Sequence, residues 1–219
     1  MRRINDFQLR KAISSEEFDY TLLSSILSSY SSVRRKINEL LRSGVIERVK
    51  KGLYVFGQEY AQGPVVKETL ANLIYGPSCI SLEYALAFHG LIPERVETVT
   101  SVTPKRDKDF KTPLGIFTYR YLKPEKYPVG IDQVWIDDRH PVLMASPEKA
   151  LSDYLVLKKV PPMKNEAEAR RCLEDDLRID IGKFNRFNPT ALRKLNRYYR
   201  NKNIEKVTEL FEQESQTNE

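Results

Sequence analysis

The apolar positions of residues 31–57 change their spacing midway. Val33, Ile37, Leu40 and Leu41 fall at i, i+4, i+7 and i+8, one stripe along a helix, and Gly44 can end that helix in a left-handed cap. Val45, Ile46 and Val49, then Tyr54, Val55 and Phe56, make two short β-prone runs around Lys50-Lys51-Gly52, the pattern of a hairpin with glycine in its turn. Upstream, Leu9, Ala12 and Ile13 predict a short helix within residues 4–13. Asp19 is placed to cap a second helix whose Leu22, Leu23, Ile26 and Leu27 face inward. Ser28, Ser29 and Tyr30 form a polar turn, and a third helix starts near Ser31 or Ser32. Three helices followed by a hairpin predict a winged helix-turn-helix over residues 1–57.

Residues 58–64, QEYAQGP, read as a linker to a domain spanning 65–219. Helical spacing there covers 67–75 and 81–89, and β-prone runs cover 97–103, 115–121, 133–136 and 142–145. Ser146-Pro147-Glu148 is a strong helix start, with Ala150, Leu151, Tyr154 and Leu155 as its apolar face. Further helices are predicted over about 166–177, 190–201 and 205–213, with ESQTNE fraying at the end. The expected fold class is α+β: an N-terminal winged helix-turn-helix followed by a mixed α/β C-terminal domain.

Charge turns this pattern toward a function. The net charge of the 219 residues is +6, but residues 1–57 carry +5 and residues 183–203 carry +7, leaving −6 for the remainder. Basic patches on an acidic body suit a polyanionic partner. In the third helix Ser31 and Ser32 lie at the start, and Arg34, Arg35, Asn38 and Arg42 lie opposite the apolar stripe. Arginine can contact guanine with two hydrogen bonds, and asparagine can do the same to adenine. Arg34, Arg35 and Asn38 are therefore the candidate base readers, with Arg42 a turn later against phosphate. Arg48, Lys50 and Lys51 sit at or near the hairpin tip, where a wing meets the DNA backbone. A second basic stripe, Arg193, Arg197 and Arg200, lies opposite Leu192, Leu195 and Tyr199. It reads equally as a phosphate contact, a face for an acidic partner or a solvated surface.

Other residue types narrow the chemistry. Cys79 and Cys172 are the only cysteines, too few for a disulfide framework or metal knuckle, and read as buried hydrophobes. His89, at a predicted helix end, reads as a cap, and His140 is the only other histidine. No apolar run is long enough to span a bilayer and the N-terminus lacks a signal-like segment, so the expected location is the cytoplasm, without membrane contact. No GxSxG, Walker loop, HExxH or cysteine pair at ligand spacing occurs. The one acid-x-Lys triplet, Asp109-Phe110-Lys111, lies in KRDKDFKTP, which reads as a turn. The expectation is a binding protein without catalytic residues, metal or cofactor.

Three stretches in order, SGVIERVKKGLYV, SLEYALAFHGL and SPEKALSDYL, resemble the AbiEi family, the antitoxins of abortive-infection (type IV) toxin–antitoxin pairs. The resemblance covers most of the chain, from RRKINELLRSGVIERVKKGLYVF through SPEKALSDYL, and no motif after Asp180 matches the family. It implies an N-terminal domain that binds operator DNA, an inverted repeat, upstream of its own operon and represses it. It also implies a C-terminal domain that counteracts a toxin of nucleotidyltransferase fold, with no stable complex required. The apolar residues of the last two stretches recur at helical spacing, and both stretches read first as helices turned toward a core. Two other readings remain open: a stand-alone, ligand-responsive winged-helix transcriptional regulator, and a winged-helix nuclease using Asp109.

Overall fold

The computed structural model describes residues 4–217. Asn5 opens α1 (Asp6–Ala12) with a reciprocal cap, in which its side chain accepts from the Gln8 N–H and the Gln8 side chain accepts from the Asn5 N–H. A strand absent from the sequence reading, β1 (Glu17–Asp19), precedes α2 (Tyr20–Ile26). Asp19 caps α2 as expected, accepting from the Leu22 N–H at 2.8 Å. Leu23 and Leu27 are buried, but Leu22 is 41% exposed, against expectation. Neighbouring residues stand about 100° apart around a helix, so Leu22 and Leu23 cannot both centre on one stripe.

In α3 (Val33–Arg42) Ile37 and Leu40 are buried and Val33 and Leu41 half-buried. Gly44, at φ +72°, reverses the chain while the Val45 N–H returns to the Leu40 carbonyl at 3.0 Å. The hairpin follows as β2 (Ile46–Lys50) and β3 (Leu53–Phe56), with Gly52 at φ +85° in its turn. The sheet order is β1-β3-β2, all antiparallel, with Phe18 opposite Tyr54.

Every residue of β3 is buried, because the hairpin is a wall shared by two cores. Ile46, Tyr54 and Phe56 pack with Leu9, Leu23, Ile37 and Leu40. Val49, Leu53 and Val55 pack with Leu70, Ile74 and the rest of the C-terminal core. The segment expected to be a linker is fastened at Gln62 and, just beyond its end, at Val66. The Gln62 N–H donates to Glu16 Oε1 at 3.1 Å, and the Val66 N–H donates to Glu17 Oε1 at 2.9 Å.

The chain beyond is mixed α and β. After α4 (Lys67–Ile74), β4 (Cys79–Ile80) and α5 (Leu82–Phe88) come β5 (Val99–Thr103), β6 (Lys108–Thr112), β7 (Gly115–Tyr121), β8 (Ile131–Trp135) and β9 (Pro141–Ala145). Their sheet has the order β6-β7-β5-β4-β9-β8, parallel at β5/β7 and β4/β9 and antiparallel elsewhere. Within KRDKDFKTP, residues 108–112 are thus a strand and not a turn. Lys108 through Thr112 pair with Tyr119 through Gly115, and Phe110 packs edge-on against Tyr119. Charged residues on an edge strand face water and discourage edge-to-edge pairing, and they erase the apolar alternation by which strands are read.

Four α-helices follow among the described residues, α6 (Pro147–Leu157), α7 (Glu166–Arg171), α8 (Pro189–Tyr199) and α9 (Lys202–Thr217), with a 3-10 helix, Ile181–Arg186, ahead of α8. The helix predicted over 166–177 widens after Arg171 into one π turn, Cys172–Asp176. The predicted fraying over 214–219 fails for 214–217. There α9 continues, Glu214 pairs with Arg170, and Ser215 Oγ donates to the Phe211 carbonyl. Residues 218 and 219 lie outside the described residues. Around α6, burial is not confined to one face, since Glu148, Lys149, Ser152 and Asp153 are buried along with Ala150, Leu151 and Leu155.

Both cysteines are buried, as read from the sequence. Burial pushes the Cys172 thiol up to about 11 and the Cys79 thiol up as well. A thiol with a pKa of about 11 is ionised only to about one part in a thousand at pH 8. Native protein at that pH should therefore leave both cysteines unmodified by a thiol-reactive chromophore, and denatured protein should react at two per chain. Prompt modification of the native chain would contradict this burial.

Candidate nucleic-acid interface

The hairpin turn is docked against the helices. The Tyr20 N–H, at the start of α2, donates to the Gly52 carbonyl at 2.9 Å. This leaves a cleft of about 770 Å³ between α3 and the hairpin. Arg34 and Asn38 enter it from α3, one turn apart. Arg48 and Lys51 enter it from the hairpin, with Tyr20 and Tyr54 between. Register slips between Arg48 and Lys50, and such an irregularity re-aims side chains. Arg48 lies over the Tyr54 ring, 5.9 Å from its centroid, and Lys51 remains exposed.

Three cations around one cleft, Arg34, Arg48 and Lys51, make a site for an extended anion. Among the described residues, no acidic one is among its walls. Asn38 adds a side chain that can both donate and accept. Such a cleft can seat a phosphate chain while α3 offers side chains to what lies beside it.

The other candidates are placed differently. Ser31, Ser32, Arg35 and Arg42 are exposed on or beside α3 but outside the cleft walls. Arg35 Nε lies 3.3 Å from Glu39 Oε1 with its side chain 83% exposed, a weak i,i+4 pair that leaves it free to move. Ser32 marks the cap position without a side-chain capping bond. Lys50 does not join Lys51. Its ammonium lies 5.9 Å from the Phe110 ring centroid on β6, and burial together with the Lys108 ammonium lowers its pKa. Tyr20 and Tyr54 were not anticipated. Each occupies a position whose spacing signals only helix start or strand.

The second basic stripe does not stand free. Arg193 is held by both carboxylate oxygens of Glu212 on α9, with Nε to Oε1 at 2.5 Å. Arg197 shares a groove with Glu205 and Glu209 of the same helix. Arg200 terminates α8 in a left-handed conformation at φ +50° and so leaves the helical stripe. The helix that folds back on α8 is α9, which begins at Lys202, and its carboxylates start at Glu205, just past the end of the run of positive charge. His89 caps α5 through its backbone N–H, as anticipated, and its Nε2 lies 2.9 Å from the Ala145 carbonyl. Asp109, on β6, is ion-paired with Arg120 at 2.6 Å.

Among the described residues, no helix is long and apolar enough to cross a membrane. No protein-family model matches the chain, and no curated protein matches it either.

Proposed function

We propose that the chain is a DNA-binding transcriptional autorepressor and the antitoxin of a type IV toxin–antitoxin pair, acting in the cytoplasm against a nucleotidyltransferase-type toxin. In this reading residues 1–57 are a winged helix-turn-helix, with α3 as recognition helix and β2–β3 as wing. Residues 58–64 lead into an antitoxin domain, 65–219. The DNA half is carried by the cleft, where Arg34 and Asn38 converge with Arg48 and Lys51 from two separate elements. The antitoxin half is supported by the AbiEi-like stretches SGVIERVKKGLYV, SLEYALAFHGL and SPEKALSDYL.

The DNA half is tested by fluorescence anisotropy with duplex from the region upstream of the chain's own gene. Expected is tight binding to an inverted repeat in that region, much weaker binding to a scrambled duplex, and a steep loss of affinity with salt. Equal, weak binding to both duplexes at physiological salt would remove the operator reading.

The antitoxin half needs a chain that is folded but defective on DNA. Cutting at residue 58 would strip Val49, Leu53 and Val55 from the C-terminal core. Full-length Arg34→Ala/Lys51→Ala is the better reagent. Co-expressed with the product of the adjacent gene, it should restore growth as well as wild type does. A harmless neighbour, or toxicity that neither chain relieves, would leave a DNA-binding regulator without the antitoxin role.

A further inference from the structure

A second cavity, of about 540 Å³, lies where the start of β1 meets α4 and the β8–β9 turn. Glu16 lines it and is only 6% exposed. Glu16 Oε1 is satisfied by Arg10 Nη2 at 2.6 Å and the Gln62 N–H, but Oε2 makes no hydrogen bond within the protein. Thr69 Oγ1, on the α4 wall, is buried in the same condition. An acceptor so placed is costly unless a donor reaches it. The indole of Trp135, on the cavity wall, is 57% exposed, and Asp138 stands beside it in the turn.

The charges around this cavity select the ligand. Arg10 neutralises Glu16, and Arg139 contributes one cation. Against these stand Glu17, Asp137 and Asp138, with His140 bridging Asp137 at 2.7 Å and Glu17 at 4.0 Å. The wall is net acidic with His140 neutral or protonated, which opposes an anion. Among the described residues no cluster of His, Cys, Asp and Glu could hold a metal ion. Unused buried acceptors, an acidic rim and an exposed aromatic face fit a ligand that brings N–H donors and a positive charge. The volume is within the ordinary range for small-molecule sites.

We propose that this cavity is a binding site for a small organic cation bearing an amino or guanidino group, donating toward Glu16 Oε2 and Asp138 and packing against Trp135. Its walls come from β1, from residues 63–64 and from the C-terminal sheet, so occupancy ties the two halves of the chain together.

Trp135 is the only tryptophan, so its emission reports this cavity directly. Full-length protein is titrated with agmatine, and with butylurea as an uncharged molecule of similar donor capacity. Expected is a saturable change with agmatine below about 10 mM and none with butylurea. Asp138→Asn should weaken agmatine binding about two- to fivefold and Arg139→Ala should tighten it by a similar factor, since both side chains are exposed. Both variants should melt with wild type. No saturable change in the wild type would overturn the site, an equal response to butylurea would overturn the cationic class, and indifference to both substitutions would overturn the location. The measurement contains no DNA, so its outcome is independent of the operator reading.

Discussion

Asp153→Ala lowers the melting temperature by on the order of 10 °C, measured by circular dichroism at neutral pH. Asp153 and Lys149 are both fully buried, one turn apart on α6, with Lys149 Nζ 3.4 Å from Asp153 Oδ2. The pair is the centre of a network. Ser81 Oγ donates to Asp153 Oδ2 at 2.7 Å, Lys149 donates to the Tyr199 hydroxyl at 2.9 Å, and that hydroxyl donates to Asp153 Oδ1. Burial and the Asp153 carboxylate push the Tyr199 pKa far up, so the hydroxyl keeps its proton. One carboxylate thus fastens α6 to the start of α5 and to the end of α8.

Removing it strands an ammonium in the core, at a cost of about 3–5 kcal/mol. A chain of this size loses about 2–4 °C per kcal/mol. Asp153→Asn separates charge from shape: the side chain keeps its volume, and the melting temperature should still fall by most of the same amount. Lys149→Met/Asp153→Leu removes both charges together and should melt above Asp153→Ala, since a pair deleted whole leaves no orphan. An Asp153→Ala protein that melts within about 1 °C of wild type would show that the pair carries no such weight.

What was legible in the sequence follows from how local each feature is. The α3 stripe and the Gly52 turn depend on residues a few positions apart, and both stand where spacing placed them. Strand β1 is three residues long with two acids and exists only through its pairing with β3, so no periodicity announces it. Lys50 and Lys51 look equivalent in a string. Only the packing of Val49 against the C-terminal core shows that the two are turned to different surroundings. Lys149 and Asp153 have the spacing of an ordinary surface ion pair, and their burial comes from α5 and α8, distant in the chain. The same limit hid the partners of the α8 arginines, which belong to the next helix. At the cleft, the helix and hairpin residues were readable as two sets. Which members face each other was not, because that depends on the docking of Gly52 against Tyr20.

Substitutions at the cleft should divide by chemistry. On the proposed reading Arg34 and Asn38 lie against base edges and Arg48 and Lys51 against phosphate. Arg34→Ala then loses a bidentate contact worth about 1–3 kcal/mol, roughly 5- to 150-fold in operator affinity. The loss should be smaller on a scrambled duplex, so that sequence preference shrinks along with affinity. Lys51→Ala should weaken operator and scrambled duplex alike and lower the slope of log affinity against log salt by about 1, the signature of one phosphate contact removed. Lys50→Ala is the internal control. Its charge is adjacent in sequence but faces Phe110 and Lys108, so affinity should stay within about twofold of wild type and the salt slope should not move. Anisotropy titrations of the three variants at several salt concentrations read all of these quantities. If Lys50→Ala and Lys51→Ala behave alike, the nucleic acid does not run through the cleft. If Arg34→Ala binds as wild type does, α3 is not the reading helix.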